Sequence, residues 1–215
     1  RRGEHGGVGW AAVQIALRAG VTVFATAGTP AKRELLRSLG VAQVSDSRTL
    51  AFAQEVREAT GGRGVDVILN SLAGEFIGAG VECLAPDGCF LELGKRDLWS
   101  DERFRAARPA ARYAVYDLGT MARAEPSLVR PLLDELLAAL AAGELRALPQ
   151  RVFEFAQAHD AMRLMAQARH VGKLVLRAPA ALDLPGRIVL GAAMILGRLD
   201  ILAVLVLFLP GTWRG

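Results

Sequence analysis

The residues whose type and spacing could do chemistry come first in the chain. His5-Gly6-Gly7-Val8-Gly9-Trp10 opens an apolar stretch that runs to about Gly20. Gly6, Gly7 and Gly9 allow a sharp turn into a helix and a close approach of backbone to a ligand. The head of that helix, including Val8, offers unpaired amide N–H groups and a partial positive charge to a phosphate. A plain tight turn is the competing use of such glycines. The setting favours phosphate, because Val21–Ala25 reads as a strand just beyond the helix. Turn, helix and strand in that order form part of a dinucleotide-binding unit.

The end of that strand selects the nucleotide. An acid there would hydrogen-bond a ribose 2′-hydroxyl, but Ala25-Thr26-Ala27-Gly28 contains no carboxylate. Lys32 and Arg33 follow on the next predicted helix. A cation accompanied by a hydroxyl such as that of Thr26 suits a 2′-phosphate, which points to NADPH, with Arg48 closing the same corner. An ordinary solvated helix lysine is the alternative for Lys32. The histidines His5, His159 and His170 form no evident pair with a nucleophile, which disfavours an acid/base hydrolase.

The elements that must position these groups alternate along the chain. Small and branched residues at 10–20 suit a helix packed closely on a sheet, and Thr29-Pro30 supplies an N-cap and first residue to the next helix. Leu35, Leu36 and Leu39 give that helix its inner face, and Val41–Val44 reads as a short strand. Phe52, Val56 and Ala59 mark a third helix closed by Gly61-Gly62, and Val65–Asn70 is a strongly apolar strand. A helix over Ala73–Leu84, a turn at Asp87-Gly88 and a strand over Cys89–Leu93 follow. The polar, basic stretch from Gly94 to Arg112 reads as a loop with a short helix, and Tyr113–Leu118 as a further strand. Leu128–Ala142 is an amphipathic helix carrying Leu132, Leu133, Leu136, Leu137 and Leu140. The segment Leu148–Phe155, a helix from Ala156 to about Arg169 and a strand Lys173–Leu176 complete the readable part. Strands alternating with helices of about this length predict an α/β fold, a parallel sheet with helices on both faces.

Composition sets the outer bounds. The 215 residues are 52% hydrophobic and 22% charged, which describes a globular chain with room for a sizeable core. The net charge of +4 is scattered, without the basic and aromatic interleaving of a nucleic-acid surface. Cys83 and Cys89 have no nearby ligand partners, so free thiols in a reducing, cytoplasmic setting are expected, with no metal site. The tail 181–215 differs in kind. Its apolar stretch Ile188–Leu209 is broken by Arg198 and Asp200, each costing roughly 2.5–3.5 kcal/mol in a bilayer centre, so a membrane helix is not expected.

Several blocks together resemble the enoyl reductase domains of modular polyketide synthases, within the medium-chain dehydrogenase/reductase superfamily that also holds zinc-independent quinone oxidoreductases. They are Gly6-Gly7-Val8-Gly9 with Ala12-Val13-Gln14, Phe24-Ala25-Thr26-Ala27, the run from Gly61 to Glu75, Phe90-Leu91-Glu92-Leu93-Gly94-Lys95, and Ala168–Lys173. The similarity covers about residues 6–178. It implies a doubly wound parallel Rossmann sheet and NADPH-dependent, metal-free reduction of a trans-2-enoyl thioester on an acyl carrier protein, with a ketoreductase domain downstream. Hydride would reach the β-carbon and a proton the α-carbon. By the same resemblance Gly6, Gly7 and Gly9 line the pyrophosphate, Lys32 approaches the 2′-phosphate, Asn70 with Leu72 lies toward the nicotinamide ribose, and Gly94 also belongs to the coenzyme site. Lys95 and Asp117 correspond to the candidate lysine and aspartate near the substrate α-carbon. Lys95 also directly follows a strand's C-terminal end, where ligands of open parallel sheets bind, so enolate stabilisation or proton donation is open to it. A plain ion pair beside the cleft is the alternative.

The departures are as informative. Arg1–His5 stands where the family has an apolar strand, and the Glu4 carboxylate would repel a pyrophosphate. The expected organisation is therefore a nucleotide-binding subdomain over 1–146 whose first strand is degenerate or missing. A segment over 147–180 would return to an absent substrate subdomain, and 181–215 would be an apolar tail or the start of another domain. Two alternatives stand beside the synthase reductase: a stand-alone zinc-independent quinone or alkenal reductase, and a catalytically silent nucleotide-binding remnant.

Overall fold

The structure, a computed structural model, describes residues 8–147, 149–167 and 170–177. The chain divides into two compact units, the first ending at Leu148 and the second starting at Pro149. The stretch Arg1–Gly7, with Glu4, Gly6 and Gly7, and the apolar tail lie outside the described residues. Among the described residues no helix is long and apolar enough to cross a membrane.

In the first unit helices and strands alternate as expected. Helix α1 (Val8–Arg18) leads to strand β1 (Phe24–Ala27), helix α2 (Pro30–Ser38) and strand β2 (Gln43–Asp46). Helix α3 (Ala51–Ala59), strand β3 (Val65–Asn70), helix α4 (Glu75–Cys83) and strand β4 (Leu84–Glu92) follow. Helix α5 (Asp101–Ala107), strand β5 (Arg112–Val115), helix α6 (Leu118–Ala124) and helix α7 (Val129–Ala141) complete it. Every ladder is parallel: β1 pairs with β2, and β4 lies between β3 and β5. Asn70, Glu92 and Val115 share one row of the register. Among the described residues β1 and β3 each have one paired edge.

Packing explains the local choices. Phe52, Ala53 and Val56 of α3 meet Ala79 and Cys83 of α4 over β3, with Phe24 and Ile68 against them. Ile77, Val81, Leu84, Phe90 and Phe104 form a second cluster, in which Phe104 stacks on Tyr113 at 4.7 Å between ring centres. Val13 of α1 covers Val41 and Val44. Thr29 caps α2, its hydroxyl accepting from the Lys32 amide, and Pro30 follows at the first helical position.

Three readings of the sequence are corrected, and one helix shows a face the sequence pattern did not place. The first strand begins at Phe24 and not at Val21, whose side chain is 53% exposed. The Asp87-Gly88 turn is absorbed into β4, where a register shift against β3 between Val65 and Val67 takes up the extra residues as a bulge. The strand foreseen to Leu118 stops at Val115, because the Asp117 side chain accepts from the Thr120 amide and starts α6. The α7 leucines 132, 133, 136, 137 and 140 are 40–61% exposed, with only Ala139 of that helix buried. Val67, Leu69 and Val115 are likewise exposed.

The second unit holds strand β6 (Gln150–Glu154), a short 3-10 turn, helix α8 (Ala158–Ala166) and strand β7 (Lys173–Arg177). β6 and β7 pair in parallel, and Phe153, Ala161 and Leu174 form its core.

Candidate functional site

In a parallel sheet the carboxyl ends of all strands face one way, and ligands bind beyond them. The candidate residues after β3, β4 and β5 therefore share one end of one sheet. Asn70 ends β3 and is buried at 7% exposure. Its Oδ1 accepts from the Leu72 amide at 3.1 Å, and its Nδ2 donates to the Leu72 carbonyl at 2.9 Å. The same Nδ2 donates to Glu92 Oε2 at 2.6 Å, while the Gly94 amide donates to Glu92 Oε1 at 2.6 Å. Asn70, Leu72 and Gly94 are thus brought together through Glu92, to which the sequence pattern assigned no role. The available signal was an acid inside the apolar run Phe90-Leu91-Glu92-Leu93.

Lys95 follows Gly94, and Asp117 follows β5 by two residues. Lys95 Nζ lies 3.0 Å from Asp117 Oδ2, with the two side chains 77% and 39% exposed. The Thr120 amide, and after it the Lys95 ammonium, hold the Asp117 carboxyl below its ordinary range. Asp117 is therefore an anion at neutral pH.

The residues expected at the nucleotide lie around the end of β1. Thr26 is exposed, Lys32 is half-buried on α2, and Arg48 lies beyond β2. A Cβ on Gly28 would sit 3.4 Å from both Arg48 Nε and Ser47 Oγ, so the glycine keeps a concavity open beside a guanidinium. That cradle of cation, hydroxyls and bare backbone fits an anionic group such as a sugar phosphate. Arg33 is spent structurally, pairing with Asp46 at 3.1 Å and donating to the Ala27 carbonyl at 3.0 Å. Its cation neutralises the acid nearest this corner. Val8 and Gly9 begin α1, and a Cβ on Gly9 would meet nothing within 4 Å.

Known proteins share this sequence pattern and fold. The family model described as zinc-binding dehydrogenase matches residues 39–176. Among the described residues no group of three or more His, Cys, Asp or Glu side chains could hold a metal ion. The described residues therefore offer no fit for the metal in that description. The chain is 48% identical over 176 residues to a phenolphthiocerol/phthiocerol polyketide synthase protein of Mycobacterium tuberculosis, covering 81% of this chain and 8% of that protein. It is 47% identical over 197 residues to erythronolide synthase EryA2 of Saccharopolyspora erythraea, covering 90% of this chain and 5% of that protein. Among solved structures, the CurK enoyl reductase superposes with a TM-score of 0.76 at 45% identity, covering 82% of this chain and 53% of that one. The nucleotide-binding subdomain of the enoyl reductase domain of PpsC from Mycobacterium tuberculosis matches at 46% identity and a TM-score of 0.58. That match covers 65% of this chain and 79% of the subdomain. The chain thus spans a small part of the curated synthases and about half of a complete solved reductase. It belongs to the zinc-binding dehydrogenase family, together with the enoyl reductase domains of polyketide synthases.

Proposed function

We propose that this chain is the coenzyme-binding part of an NADPH-dependent enoyl reductase that acts in the cytoplasm on a trans-2-enoyl thioester carried by an acyl carrier protein. It would work within a polyketide synthase, beside other domains such as a ketoreductase. Family membership implies a nicotinamide coenzyme. The choice of NADPH rests on the acid-free end of β1 and on Thr26, Lys32 and Arg48 around it.

The observation that carries the reading is the convergence of Asn70, Leu72, Gly94, Lys95 and Asp117 on the carboxyl ends of three neighbouring parallel strands. When bound, the coenzyme supplies the hydride that goes to the substrate β-carbon. Asn70, Leu72 and Gly94 form the wall beside its ribose, and Gly6, Gly7, Val8 and Gly9 hold the diphosphate. Negative charge then develops on the thioester oxygen and α-carbon. In this reading the Lys95 ammonium stabilises that enolate and gives the α-carbon its proton. Asp117 keeps the ammonium oriented.

Titration of the purified chain with NADPH and with NADH, followed by nicotinamide fluorescence, tests the coenzyme assignment. NADPH should bind at least about tenfold tighter than NADH, the effect of one charge-assisted contact. Equal binding would remove the 2′-phosphate reading, and binding of neither would leave a silent remnant. Consumption of a small quinone in preference to a crotonyl thioester, by the reductase carrying this chain, would favour the stand-alone quinone reductase.

A further inference from the structure

Glu92 ends β4 and is fully buried, at 0% exposure. A carboxylate taken out of water needs donors on its oxygens, and both donors here come from proposed coenzyme residues. Oε2 receives Asn70 Nδ2 and Oε1 receives the Gly94 amide. The Asn70 amide is otherwise committed to Leu72 in both directions. Glu92 is therefore the side chain that ties the loop after β3 to the loop after β4.

We propose that Glu92 is a positioning residue for the nicotinamide end of the coenzyme, holding Asn70, Leu72 and Gly94 at a fixed spacing through its two carboxylate oxygens. The inference rests on the nicotinamide coenzyme reading given above. Its chemistry is specific to a carboxylate, which accepts on two oxygens and donates on neither when ionised. A glutamine of the same shape turns an N–H donor toward either the Asn70 Nδ2 or the Gly94 N–H. Gly94 is part of the same device: a Cβ there would lie 2.6 Å from Glu92 Oε1.

The test compares two ligands on the full chain: NADPH, which reaches the nicotinamide end, and 2′,5′-ADP, which ends on the adenosine side. Glu92→Gln should weaken NADPH at least tenfold and leave 2′,5′-ADP within twofold. Should Glu92→Gln fail to fold, Glu92→Asp, which keeps the carboxylate but draws both oxygens back from Asn70 and Gly94, provides the same selective readout. Equal weakening of both ligands, or of neither, overturns the proposal, because a purely structural role would not distinguish them. Wild-type chain that binds neither ligand would bring down the coenzyme reading itself, and this inference with it.

Discussion

Lys95 Nζ reaches Asp117 Oδ2 at 3.0 Å across the carboxyl ends of two adjacent parallel strands, and both side chains stand open to water. Solvent screens such a pair, so it does little to hold the fold together. Its value lies in what it keeps at the mouth of the sheet, an ammonium with a fixed direction.

In a reductase carrying this chain, Lys95→Ala should therefore lower kcat about 10–100-fold while the KM for NADPH changes little. Asp117→Asn should cost less, because the ammonium remains and loses only its anchor. Neither change should shift the thermal midpoint by more than a few degrees. A lysine variant that unfolds the chain, or that leaves kcat intact, would reduce the pair to surface decoration.

The Asp117 carboxyl should titrate below its ordinary value of 3.8. A depressed carboxyl contributes above its ordinary value and loses that contribution as pH falls through the depressed one. The pair is then intact at pH 7 and opens only in acid. The Thr120 amide is the first cause, so Lys95→Ala should leave part of the depression in place. Carboxyl titration by NMR on the two proteins would show it; a return to 3.8 would make Lys95 the dominant partner.

At the nucleotide corner, Arg48→Ala should weaken NADPH about tenfold and leave NADH unchanged, as removal of one charge-assisted phosphate contact does. Arg33→Ala should act differently. It releases Asp46 from its 3.1 Å ion pair and places an uncompensated acid near the phosphate site. Fluorescence titration of the two variants with both coenzymes separates a contact from an electrostatic background.

These site residues were legible to different degrees for physical reasons. Lys95 could be placed because a strand's end is marked by the apolar run before it, and the Val65–Asn70 strand matched residue for residue. Asp117 was misassigned to the run of a strand, since a capping role depends on a hydrogen bond three residues on that no apolar pattern records. Glu92 was invisible because its partners, Asn70 and Gly94, become neighbours only through the strand register. The α7 leucines taught the converse. Amphipathic spacing announces an apolar face but not that anything among the described residues covers it.

The Gly61-Gly62-Arg63-Gly64 run divides into two kinds of glycine. Gly62 has φ +84° and open space around a would-be Cβ, whereas Gly64 has φ +87° with that Cβ 2.4 Å from the Cys83 carbonyl oxygen. Gly62→Ala should cost about 1–2 kcal/mol, the left-handed penalty alone. Gly64→Ala adds a backbone clash that no rotamer relieves, and should cost about 3 kcal/mol or more. Urea unfolding of the two variants would reveal the gap; equal midpoints would mean that the junction of α4 and β4 yields easily.

Cys83 offers a check on the core between α3 and α4. Its thiol contacts the Ala79 carbonyl at 3.2 Å and the Ala53 carbonyl at 3.7 Å, and burial pushes it from 9.0 up to about 11. A thiol raised in the fold contributes stability that is full below the unfolded value and fades as pH rises toward the folded one. Stability should thus decline between about pH 9 and 11, and Cys83→Ala should flatten that decline while leaving a small cavity. At pH 8 a disulfide reagent should label Cys89, which is half-buried, well before Cys83. Prompt native-state labelling of Cys83 would show that α3 and α4 separate readily, and the coenzyme site beyond β3 would then rest on a support that opens.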